Sequence, residues 1–248
     1  MPTLPKTAVF RFYGDLNDFL PPAHRQSALP YRFWGRPAVK DAIEAVGVPH
    51  PEVFYLRRGD EPIDFGHALS DGDRIDVYPR MRRLQPEAGR LRPPAPTPPR
   101  FVLDAHLGRL ARHLRMLGID ARYRNDWTDA ELARVAHEEV RILLTRDLGL
   151  LKRSRVLYGA FVRATDPKQQ IREVLRRFDL GAHLAPLTRC LECNGALEPV
   201  SKEAVFDDLP PKTRQYVDAF FRCTRCRHVY WRGSHYERMQ QFIARLTS

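Results

Sequence analysis

The chain reads as an α/β protein: a parallel sheet in its central part, a small α+β unit before it and a cysteine-rich ribbon after it. Three observations predict this. Short apolar runs, Phe101-Val102-Leu103 and Ile142-Leu143-Leu144-Thr145, alternate with helical patterns, as in βαβ units with buried parallel strands. A proline- and arginine-rich stretch separates them from the first 79 residues, and all four cysteines fall in two C-x-x-C pairs late in the chain. The expected units are residues 1–79, a linker at 80–100, an α/β domain at 101–182 and a metal ribbon at 183–248.

Within the first unit, Ala8-Val9-Phe10-Arg11-Phe12-Tyr13 alternates as a strand and Arg36 to Gly47 reads as a short helix closed by glycine. Val53-Phe54-Tyr55-Leu56 and Arg74-Ile75-Asp76-Val77-Tyr78 give further strands, and Asp71-Gly72-Asp73 marks a turn. Strand, helix, strand, strand suits a β-grasp fold. His50 and His67, beside loop residues, read as structural. Six prolines in the linker remove amide donors and fix φ, which predicts a semi-extended, solvated spacer.

From residue 101 onward the elements carry acids at their ends. Phe101-Val102-Leu103 stops at Asp104, and Ile142 to Thr145 is followed by Arg146-Asp147. Parallel strands send both carboxylates to one sheet edge, where open α/β folds bind ligands. Oxygen ligands there suit Mg²⁺ or Mn²⁺. The helix expected at about His106 to Leu117 carries an apolar stripe and a second stripe of Arg109, Arg112 and Arg115, either a solvated face or a phosphate contact. Thr128-Asp129-Ala130-Glu131 is a capping box that puts Asp129 in a first turn, so dipole stabilisation and catalysis are both open for it. Asp166, before Pro167, fits an N-cap while also ending a strand on the candidate edge. Arg146, Lys152 and Arg153 add basic groups around Asp147 and are, with the arginine stripe, the candidate RNA contacts.

Cys190-Leu191-Glu192-Cys193 and Cys223-Thr224-Arg225-Cys226 are two knuckles suited to tetrahedral Zn²⁺, and four thiolates leave no open position, so the site is structural. The 29 residues between them exceed the usual ribbon spacing and predict an added helix at Pro210 to Phe221. Tyr230 and Trp231 are expected to pack on the ribbon.

The formal net charge is +11, and it is uneven: residues 1–79 carry −2, residues 80–100 and 101–180 carry +5 each, and residues 181–248 carry +3. Such a field favours polyanions. The N-terminus lacks a charged-then-apolar leader and no apolar run approaches the roughly 20 residues a membrane helix needs, so a cytoplasmic chain without membrane association is expected.

Two resemblances follow. Phe10-Arg11-Phe12-Tyr13, Leu16-Asn17-Asp18-Phe19-Leu20, Val39-Lys40-Asp41, Gly47 to Val53 and Asp71-Gly72-Asp73 resemble the ubiquitin-like, sulfur-carrier-type domain that precedes Mut-seven C-terminal RNase domains. Here the last strand runs on through Tyr78-Pro79-Arg80 in place of a free Gly-Gly, which removes carrier chemistry and leaves docking of a protein partner, or positioning, as the expected role. Val102-Leu103-Asp104, Leu107 to Arg112, Leu114 to Gly118 and Arg141 to Asp147 resemble the Mut-seven C-terminal RNase family itself. That resemblance implies a PIN-like three-layer α/β/α domain and a ribonuclease whose acidic residues hold Mg²⁺ or Mn²⁺. Asp104 and Asp147 match the family's acids well, Asp129 less closely, and Asp166 stands apart. The alternative is an adaptor that binds RNA or ribosomes without cutting.

Overall fold

The computed structural model describes residues 4–80, 89, 91–233, 236, 240–241 and 244. Its strands and helices run β1 (Lys6–Phe12), β2 (Ala28–Phe33), α1 (Val39–Ala45), β3 (Val53–Arg58), β4 (Glu61–Ile63), β5 (Arg74–Pro79), β6 (Phe101–Leu103), α2 (Gly108–Met116), β7 (Ala121–Tyr123), α3 (Asp129–Glu138), β8 (Ile142–Thr145), α4 (Leu148–Leu151), β9 (Gly159–Phe161), α5 (Pro167–Arg177), β10 (Leu197–Val200), α6 (Pro211–Tyr216), β11 (Phe220–Cys223) and β12 (Val229–Trp231). They form two compact units, residues 1–94 with 147–161, and residues 95–146 with 162–248.

The first unit is built on a mixed sheet in the order β2-β1-β5-β3-β4. β1 and β5 run parallel at its centre, with Phe10 beside Ile75, and every other pair is antiparallel. Alternation along β1 and β5 turns Ala8, Phe10, Phe12, Ile75 and Val77 into one core with Val39, Ala42 and Ile43 of α1. β2 and β4 escaped the sequence reading because they are edge strands interrupted by Pro30 and Pro62, and proline is tolerated where an amide faces no partner.

Residues 147–161 pack into this unit through buried polar groups. The Glu52 carboxylate accepts the Phe161 amide at 2.6 Å, His50 contacts Glu44 at 2.6 Å and the Val156 carbonyl at 3.0 Å, and Phe19 meets Phe161 edge-on. Burial lowers the His50 pKa below the ordinary imidazole value, outweighing the Glu44 bond that raises it. Most of the expected linker, residues 81–88 and 90, lies outside the described residues. Arg92 corrects the picture of a solvated spacer: its guanidinium donates to the carbonyls of His50, Pro51 and Leu157, each at 3.0 Å, and to that of Val53. Burial pulls its pKa down to about 10.

In the second unit β7, β6 and β8 lie side by side in that order, all parallel, with Phe101 level with both Ala121 and Ile142. β6 and β8 are buried throughout, which is why they read as continuous apolar runs. The connection through α2 moves one way along the sheet and that through α3 moves back, so right-handed crossovers put the two helices on opposite faces. The result is a three-layer α/β/α arrangement in which α5 packs beside α2. The three-residue edge strand β7 was not anticipated; it is too short to show a period. Beyond α5, β10, β11 and β12 form an antiparallel ribbon with a small core of Val205, Leu209 and Phe220. The helix expected between the cysteine pairs is α6.

Candidate functional site

Asp104 stands immediately after the central strand β6. Its amide donates to the Leu144 carbonyl at 3.1 Å, continuing the ladder to β8. Its carboxylate, on a residue only 7% exposed, accepts the Thr145 hydroxyl at 2.6 Å. Thr145 is fully buried and was missed by the sequence reading, although a hydroxyl closing an otherwise aliphatic strand was the available signal. The turn after Asp104 is pinned by the Tyr123 hydroxyl, which donates to the Ala105 carbonyl at 2.9 Å. A Cβ on Gly108 would lie 2.7 Å from that phenol oxygen, so glycine opens α2 there for lack of room.

Of the other candidate aspartates, Asp147 and Asp166 bond local backbone amides and Asp129 opens a helix. Asp147, two residues past β8, caps α4, its Oδ1 accepting the amides of Gly149 at 2.6 Å and Leu150 at 3.1 Å. Asp166 caps α5 in the same way, accepting Lys168 and Gln169 amides at 3.0 Å. Asp129 opens α3 inside the expected capping box, with Glu131 bonded to the Thr128 amide at 2.7 Å.

Three of the candidate RNA contacts donate to backbone carbonyls. Arg115 is 4% exposed and donates to the carbonyls of Ala121, Leu191 and Glu192. Arg146 holds the carbonyls of Val162, Arg163 and Ala164 at 2.6–2.9 Å, and Lys152 donates to the Glu44 carbonyl at 2.6 Å. Arg109, Arg112 and Arg153 are exposed, Arg112 paired with Glu192 at 2.8 Å.

Among the described residues, Cys190, Cys193, Cys223 and Cys226 form the one group of three or more side chains able to hold a metal, their sulfur atoms all within 4.8 Å of one another. The cysteines are unbridged, and Cys190–Cys226 and Cys193–Cys223 sulfur separations are 3.5 and 3.4 Å. Tetrahedral coordination at about 2.3 Å per bond needs sulfur atoms about 3.8 Å apart, so the group fits Zn²⁺. Burial opposes ionisation of the thiols; backbone amides and neighbouring thiols bring Cys223 down to about 7, while burial pushes Cys193 up and Cys226 up to about 12, so full ionisation of the group requires the ion itself. Tyr230 packs as expected, its hydroxyl 3.2 Å from Cys190 Sγ and accepting the Leu191 amide at 3.0 Å. Of the tail beyond it, residues 234–235 and 237–239 lie outside the described residues.

The family model described as the Mut7-C RNAse domain matches residues 99–243, more than half of the chain, from β6 through the ribbon. The chain belongs to this family. In front of the Mut7-C match, the Mut7-C ubiquitin model covers residues 5–85, the mixed sheet and α1 of the first unit. No curated protein and no solved structure gives a match. No helix among the described residues of this Mut7-C protein is long and apolar enough to cross a membrane.

Proposed function

We propose that this Mut7-C chain is a metal-dependent ribonuclease whose reaction centre is the carboxyl-end edge of β6 and β8, with RNA as substrate. The observation that carries the reading is the buried Asp104 carboxylate, fixed by Thr145 at the end of the adjacent strand. β6 sends the chain toward β7 on one side while β8 lies on the other, and ligands of open α/β sheets sit where the order reverses in this way. Asp147 comes two residues after β8 in the chain. Mg²⁺ commonly keeps several waters and binds through one or two carboxylates, which suits this donor set. A divalent ion bound there supplies Lewis-acid polarisation of the phosphodiester and a water of lowered pKa.

The chain's own residues do the rest. Thr145 holds Asp104 Oδ2, so the carboxylate enters the reaction already oriented. The start of α4 holds Asp147 through two amides. Arg109 and Arg112, exposed on the helix that follows Asp104, supply positive charge for phosphates in this reading. Asp166 acts as the cap of α5 and Asp129 as a first-turn acid of α3 in this reading. The first unit serves in docking a protein partner or in positioning, and the ribbon holds structural Zn²⁺.

A specific observation favours a second reading, an RNA-binding adaptor without cleavage: no three carboxylates among the described residues form a ligand group. Zinc-loaded protein assayed on mixed-sequence RNA and matched DNA, with Mg²⁺ or Mn²⁺ omitted and restored, separates the two. The ribonuclease reading expects RNA cleavage only with metal, and its loss, by about 100-fold or more, in Asp104→Asn, as for removal of a principal electrostatic group. Metal-independent RNA binding without cleavage in the wild-type chain supports the adaptor.

A further inference from the structure

Arg115 sits on α2 among apolar neighbours and faces inward, its guanidinium enclosed by the second unit. Nε donates to the Ala121 carbonyl at 2.8 Å, and Nη1 donates to the Leu191 and Glu192 carbonyls at 2.9 and 2.8 Å. All three acceptors are neutral. The Glu192 carboxylate instead meets Arg112 at the surface. A buried guanidinium without a counter-charge is costly, so a negative group must be found close by.

Two of the three acceptors lie between Cys190 and Cys193. Burial pulls the Arg115 pKa below the ordinary arginine value, and the charges opposing that pull are led by Cys190 and Cys193. Four thiolates around a divalent ion carry a net charge of minus two, and this dianion is itself partly enclosed: Cys190 and Cys223 are buried. The same knuckle grips the sheet through Asn194, whose side chain accepts the Ala121 amide at 3.1 Å and donates to Asp120 at 2.7 Å. Ala121 thus has its carbonyl held by Arg115 and its amide by the residue after Cys193.

We propose that Arg115 is the counter-cation of the tetrathiolate zinc site, so that metal occupancy in the ribbon fixes the end of α2 against the first residue of β7. The zinc ion then acts as a fastener of the α/β core as well as of the ribbon. This rests on the zinc reading of the four cysteines and is independent of whether the chain cleaves RNA.

The test uses the full chain, with zinc affinity measured by competition against a chelator of known affinity for wild type, Arg115→Gln and Arg115→Lys. Glutamine removes the charge and is expected to weaken zinc binding about 10- to 100-fold, the range for residues that support metal ligands from outside. Lysine keeps the charge but not the planar fork, and is expected to retain most of the affinity. Unchanged affinity in the glutamine variant, or equal loss in both variants, overturns the proposal in favour of a packing role.

If the glutamine variant does not fold, hydrogen exchange on the unmutated chain decides. Removing zinc is expected to expose the amides at the end of α2 and in β7 while α3 stays protected; unchanged protection at α2 and β7 overturns the coupling. A wild-type chain that takes up no zinc overturns the zinc reading itself, and this proposal with it.

Discussion

Four cysteines and four aspartates were both singled out as ligand sets, and the fold handles them differently. The cysteines converge until all sulfur atoms lie within 4.8 Å, although the two knuckles are separated by β10, α6 and β11. Among the aspartates, Asp147 and Asp166 each cap a helix, Asp129 opens a third, and Asp104 takes a hydroxyl from the neighbouring strand. A thiol buried without a metal gains little from its surroundings, so clustered cysteines point almost directly to their ion. A carboxylate has many structural uses, and each weakens the inference from its presence to a metal.

The largest expected effect sharpens that contrast. Stripping zinc with a chelator, or Cys193→Ser, is expected to unfold the ribbon, since such sites contribute on the order of 10 kcal/mol to folding; hydrogen exchange in β10 to β12 reports it. Omitting Mg²⁺ should leave exchange at α4 and α5 unchanged, because the caps are made by amides already present.

Next comes a buried ion pair of the α/β part that the ribbon also bonds through Asn194. Asp120 and Arg141 lie 2.7 Å apart with side chains 15% and 7% exposed, and Asn194 also bonds Asp120. Breaking such a buried pair costs about 3–5 kcal/mol, so Asp120→Ala should lower denaturant stability by that order. Burial raises the Asp120 pKa, but Arg141 and Asn194 outweigh it and hold the folded value below the ordinary 3.8. The folded state therefore favours the carboxylate. Its stabilising contribution is complete above about pH 4 and is lost as pH falls through the lowered folded value. An acid titration of wild type should show this component, and one of Asp120→Ala should not.

The smallest effect probes the helix caps. Thr128→Ala removes the hydroxyl from the capping box and should cost about 1 kcal/mol while leaving zinc content unchanged. A much larger loss would mean that the start of α3 carries more than a cap.

What was legible in the sequence follows the same divide. Signals carried by adjacent residues came through: the C-x-x-C knuckles, the Thr128–Glu131 box, and the buried runs of β6 and β8. Arg115 was misplaced because its three-residue spacing from Arg109 and Arg112 suggested one face. Each three-residue step falls about 60° short of a full turn, and two steps carry Arg115 around to the side of the buried Leu114 and Ala111. Thr145 was missed because its role depends on a partner 41 residues away. Packing of residues 147–161 with the first unit likewise depends on single polar contacts, such as Glu52 with the Phe161 amide, and no local pattern announces them.

The most direct test of the acidic edge as a metal centre is Mn²⁺ binding to zinc-loaded protein, followed by electron paramagnetic resonance, in wild type and Asp104→Asn. The account predicts Mn²⁺ uptake by the wild-type chain, lost in Asp104→Asn with zinc content intact. Equal Mn²⁺ binding by the two proteins, or none by the wild type, would contradict it.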